Sequence, residues 1–116
     1  MMLFAVAALT TMGLAPATRA QEAVTVQGEI VDLACYMSKG SKGAQHRACA
    51  QMCAKKGVPI GMLNDAGEVF LLVDDHDDPE PYEAALKLAG GRAEVSGKKF
   101  AKGGMTTIVV GAAKGL

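Results

Sequence analysis

The apolar positions of this chain fall into short blocks separated by glycine, proline and charge. Val24–Tyr36 (VTVQGEIVDLACY) alternates with a period of two and predicts one long strand. Val24 and Val26 share one face, Val31, Leu33 and Cys35 the other, with Gly28 at the switch, so the strand is expected to bend or bulge there. Met37–Ala44 reads as an exposed loop rich in Gly, Ser and Lys. Gln45–Lys56 predicts a helix stopped by Gly57, with Lys55 and Lys56 in its last turn. Val58–Leu63 and Glu68–Asp74 predict two strands around the turn Asn64–Gly67, the second more continuously apolar and so expected to be central. A second helix is expected after Asp78, its cap, with Pro79 and Pro81 in the first turn and Tyr82, Ala85, Leu86, Leu88 and Ala89 as its apolar stripe. Arg92–Phe100 and Met105–Val110 predict a closing hairpin around Ala101–Gly104, followed by a soft Gly/Ala tail.

The predicted order is β-α-β-β-α-β-β: mainly β, with two short helices. Without the first helix it resembles the OB-fold, a five-stranded barrel with a helix between strands three and four. The expectation is therefore an OB-like barrel carrying an inserted Cys/His helix between strands one and two. The run Gly28-Glu29-Ile30-Val31-Asp32-Leu33, then Cys35-Tyr36, then His46-x-x-Cys49-Ala50-x-x-Cys53 resembles small exported bacterial proteins with the same Cys-Tyr and His-x-x-Cys-Ala-x-x-Cys pattern. That resemblance implies a barrel fold and an exported compartment; no established activity comes with it.

Residues 1–20 read as a secretory leader: Leu3–Leu14 is apolar, and Thr18 and Ala20 are small residues at the −3 and −1 positions of a cut before Gln21. A second cut after Ala17 fits as well. A basic segment ahead of the apolar run is missing, which suggests a start further upstream. Residues 21–116 are then one small domain, periplasmic or secreted, with no second core. Half of the chain is apolar, enough for a packed core. Net charge is zero over the chain and −1 once Arg19 is set aside, and Trp is absent, so nucleic acid is not an expected partner. After the leader no apolar stretch reaches membrane-spanning length, and none is expected to span.

The chemistry lies in three cysteines and one histidine. On a continuous helix Cys49 and Cys53 fall within about 60° of His46, with Arg47, Gln51 and Lys55 on the opposite side. The thiols and the imidazole should then face the protein, where Cys35 at the end of the first strand can meet them. Cys35, His46, Cys49 and Cys53 make a Cys₃His set suited to zinc or copper, with Met52 as an accessory thioether. The spacing is not a strong zinc signature, and without Cys-x-x-Cys-His no haem attachment is expected. The structural alternative is a disulfide from Cys35 to Cys49 or Cys53, closing a loop of about 15–19 residues and stabilising by ~3 kcal/mol, with one thiol left over. Thiol–disulfide redox work is a third reading, weakened by sulfurs a full turn apart and no Cys-x-x-Cys at a helix start.

Other features read more simply. Asp74–Asp78 (DDHDD) lacks the glycine and distal glutamate of a calcium loop and reads as a solvated turn. Ser38–Gly43 does not match a phosphate loop, and Lys98, Lys99, Phe100 and Lys102 give only a small basic rim. Two histidines and short loops offer little for hydrolysis. Met37, Met52, Met62 and Met105 sit on separate elements and are expected as core filler. The expected function is an exported, non-enzymatic module that binds a soft or borderline metal ion. A disulfide-stapled domain docking on an envelope protein is the alternative, and a thiol-redox protein the second.

Overall fold

The computed structural model describes residues 12–13 and 21–116. The leader expected over residues 1–20 lies outside the described residues except at Met12 and Gly13. The chain runs β1 (Glu22–Asp32), α1 (Leu33–Lys39), a 3-10 turn (Ala44–His46), α2 (Arg47–Lys55), β2 (Ile60–Asn64), β3 (Val69–Val73), α3 (Glu80–Lys87), β4 (Arg92–Lys102) and β5 (Met105–Gly115). The strands close into a barrel in the order β1-β2-β3-β5-β4. Neighbours are antiparallel except β3 and β5, which run parallel. This is the expected OB-like barrel, with the Cys49/Cys53 helix between strands one and two.

The length of β1 has a job in that closure. Its first part, Glu22–Glu29, pairs with β4, and its last part, Gly28–Asp32, pairs with β2. Gly28 belongs to both ladders, opposite Asn64 and opposite Ala93. A Cβ there would lie 2.0 Å from the Leu63 carbonyl oxygen, so a side chain at this crossing has no room. Gly28 marks the passage of the strand from one ladder to the other, but the expected change of face is not found. Val24, Val26 and Ile30 all pack on the barrel core, while Val31 is buried outside that cluster. Gly97 plays the same part in β4. It sits at a register shift against β5, and a Cβ would again meet a carbonyl oxygen, that of Val109, at 2.0 Å.

Three boundaries differ from expectation. β1 stops at Asp32 rather than Tyr36, because the next seven residues form α1. The Asp32 side chain accepts the Cys35 amide at 2.8 Å as an N-cap. At the other end Gly40 takes the left-handed conformation, φ 69°, while its N–H reaches the Tyr36 carbonyl and that of Ser41 reaches Cys35. The Gly/Ala tail is not soft. β5 continues to Gly115 by pairing with Ala93–Gly97, so backbone bonding outweighs a poor apolar pattern. The hairpin loop shrinks to Gly103–Gly104, both at positive φ, as a two-residue turn requires.

The core joins Ile30, Ile60, Met62, Leu72, Val95, Ile108 and Val110 with Ala85 and Ala89 from the α3 side. Of the methionines discussed above only Met62 is core. Met37, Met52 and Met105 are 71%, 58% and 55% exposed, so they do not fill the interior. β3 alternates between buried Phe70 and Leu72 and half-buried Val69, Leu71 and Val73, as a one-sided barrel strand does. Asp78 stands one residue before the N-cap of α3, which is Pro79; its Oδ1 accepts the Glu80 amide at 3.3 Å. Among the described residues no helix is long and apolar enough to cross a membrane.

Gly28→Ala should destabilise the protein by about 3 kcal/mol, since the methyl must displace backbone rather than a side chain. Chemical denaturation of the two proteins under identical conditions measures it.

Candidate metal centre

The site is built on the insertion between β1 and β2, and begins with how α2 is seated. Ala50 and Ala54 are the buried residues of α2 and form its barrel face. Its first residue, Arg47, lies against the turn before β4. A Cβ on Gly90, whose φ is 82°, would come within 2.7 Å of the Arg47 Cα. The Gly90 amide in turn donates to the Ile30 carbonyl at 2.7 Å, and the Ile30 amide to Gly91 at 3.0 Å. Small residues thus bring α2 down onto the barrel beside the end of β1. Gly57, at φ 88°, ends the helix, and the Val58 amide returns to the Cys53 carbonyl at 3.0 Å.

With Ala50 and Ala54 facing the barrel, the cysteines of α2 fall to its flank. Cys49 is exposed and Cys53 half-buried, so the expectation that the helix turns its thiols inward is corrected. They face α1 rather than the core. Cys35, half-buried on α1, meets them there: its Sγ and those of Cys49 and Cys53 lie within 4.8 Å of one another. All three are free thiols, and no sulfur pair is bonded. The disulfide expected as the structural alternative is not present.

His46 is not on α2 but in the 3-10 turn ahead of it, at the N-cap position. The break in helical geometry removes it from the arc that a continuous helix would have given. It joins Cys35 in a different group, completed by Asp32, whose ligating atoms also lie within 4.8 Å of one another. Of the four expected site residues, the structure therefore brings together the three sulfurs, and sets His46 beside one of them. Cys35 is common to both groups.

Asp32 was missed as a functional residue because it reads as one polar position of an alternating strand. It is fully buried, and its two oxygens are divided. Oδ1 accepts the Cys35 amide at 2.8 Å; Oδ2 lies 2.7 Å from His46 Nε2. Burial alone would push its carboxyl up, but the Cys35 amide, the His46 ring and the Cys35 thiol outweigh burial and hold it below the usual aspartate range. An ionised carboxylate can only accept, so Nε2 is the protonated nitrogen that donates, and in the neutral ring Nδ1 keeps its lone pair. The signal for Asp32 was legible: an aspartate three residues before an amide it can cap, with Gly40 closing the helix behind it.

The thiols are shifted the other way. A hydrogen bond to the Asp32 carboxylate pushes the Cys35 thiol up, and partial burial and the charges of Asp32, Cys49 and Cys53 add to it. Partial burial, then Asp32 and Cys49, push Cys53 up; a hydrogen bond from Cys35 opposes them. Thiol–disulfide catalysis needs a thiol held below its usual range. A metal ion binding these sulfurs would have to displace their protons, so its uptake would strengthen as pH rises.

The other candidates do not form sites among the described residues. The Asp74–Asp78 run contributes to no group of potential metal ligands, and Asp75 turns back on the Asp77 amide at 2.9 Å. The Ser38–Gly43 loop offers no anion cradle, because the Gly43 amide is taken by both Glu29 carboxylate oxygens, at 2.9 and 3.1 Å. Lys99 pairs with Glu22 at 3.3 Å on the barrel surface. No family model, no curated protein and no solved structure matches this chain.

Two outcomes are expected of the metal-free protein. Asp32→Ala, which loses the cap and orphans His46, should cost about 3 kcal/mol in denaturation measurements. The Asp32 carboxyl is lowered on folding, so its contribution is complete above the ordinary value of 3.8 and is lost as pH falls through the lower native value. Stability measured across the acid range should therefore fall less steeply in Asp32→Asn than in the wild type.

Proposed function

We propose that the protein binds a soft or borderline transition-metal ion, zinc or copper, through Cys35, Cys49 and Cys53, as a non-enzymatic carrier or sensor exported from the cytoplasm. One observation carries the reading: sulfurs from two separate helices converge to within 4.8 Å of one another without bonding. Thiolates on a tetrahedral zinc ion, with bonds near 2.3 Å, stand roughly 3.8 Å apart. The free thiols need only small side-chain rotations to reach that spacing. Thiolate ligands select copper(I) and zinc over hard cations. Cys49, exposed at the rim, gives the ion a way in and out, which suits handling better than a permanent structural metal.

Protein reduced and stripped of metal should take up one equivalent of zinc or copper(I), with three thiols lost to a thiol reagent on loading. Cys35→Ser or Cys49→Ser should weaken binding by more than about a hundredfold, because even residues that only support ligands cost 10–100-fold. Competition against a chromophoric chelator reads both. Protein purified without reductant that binds neither ion and titrates with one free thiol would overturn the metal reading.

A further inference from the structure

Three thiols drawn from two helices make a site only if the helices are held at a set distance. α1 and α2 do not pack broadly against each other; α1 packs on β1, and α2 on β1, α3 and the 3-10 turn. One buried side chain ties the start of each to the end of β1. Asp32 ends β1, caps α1 through Oδ1 and grips His46, at the head of α2, through Oδ2. It is the only fully buried charged residue among the described residues, a placement that costs several kcal/mol unless both oxygens are satisfied. Elsewhere the barrel closes without such a group.

We propose that Asp32 and His46 are the positioning pair of the thiol site and lie outside its ligand set. This rests on the metal reading of the thiols. Both Asp32 oxygens are already committed within the protein, Oδ1 to the Cys35 amide and Oδ2 to His46. His46 is oriented by its Nε2 contact with Asp32, and it is absent from the all-sulfur group, sharing only Cys35 with that site. The pair fixes where α1 presents Cys35 relative to where α2 begins, and thereby sets the sulfur spacing. The ion then sees three sulfurs and no imidazole, and it binds tightly because the sulfurs are held near their ligating positions in advance.

The test uses the reduced full chain with cobalt(II) as the probe, because its visible bands and its X-ray absorption distinguish sulfur from nitrogen ligands. Two variants are compared with wild type: His46→Ala, and Asp32→Asn, which keeps an acceptor for the Cys35 amide but leaves only a neutral partner for His46. Circular dichroism confirms that each is folded. The expected result is an unchanged sulfur shell with no nitrogen shell attributable to His46, and a dissociation constant weakened about 10- to 100-fold in both variants. Loss of a nitrogen shell or a changed band pattern in His46→Ala would make His46 a ligand and overturn the proposal. An unchanged dissociation constant with only a lower melting temperature would make the pair purely structural and overturn it as well. Wild type that binds no cobalt, zinc or copper would sink the metal reading itself, and with it this inference.

Discussion

A single ionised carboxylate, shut away from water, organises the inserted segment of this protein. Asp32 lies where the barrel strand ends and the insertion begins, and each of its oxygens holds a different part of the fold. Removing either partner would leave charge without solvation, so the three elements it joins stand or fall together. The barrel supplies the platform: Ala50, Ala54 and Gly90 let α2 approach closely, and Gly61 does the same for α1, since a Cβ there would meet the Leu33 side chain at 2.7 Å. Small residues set the depth of each helix, and the carboxylate sets their relation.

The barrel was legible because its constraints are local. Gly28 stands out in an apolar strand, Asn64–Gly67 carries turn chemistry, and Gly57 punctuates a helix whose alanines and lysines agree with it. The structure bears these out, down to the Asn64 side chain accepting the Ala66 and Glu68 amides at 3.1 and 2.8 Å. What failed was the choice between two periods. Val31, Leu33 and Cys35 alternate as a strand would, and that pattern hid the cap–helix–glycine frame of α1. The end of β5 was hidden for the opposite reason: Gly111–Gly115 has almost no apolar signal, and only the partner strand holds it extended.

The site was half legible for the same cause. Treating His46 to Cys53 as one helix put an imidazole among the thiols, whereas a 3-10 turn at Ala44–His46 rotates the ring toward Asp32. The convergence of Cys35 with Cys49 and Cys53 survives because it depends on two helices meeting at their flanks, not on one continuous arc. The chemistry also changes character. Inward-facing thiols would have been buried like small hydrophobes; thiols on a flank, with one open to solvent, remain available to a ligand from outside.

The ladder between β1 and β2 runs up to Asp32 opposite Ile60, so the strands pair as if a tight turn joined them. Leu33 to Pro59 leaves and re-enters the barrel at that rung, and is seated on it through Ala50, Ala54 and the approach of Arg47 to Gly90. The barrel's register and the placement of the three sulfurs therefore rest on different contacts: the first on the strand ladders, the second on the acidic residue at the hinge and the small residues under the helices.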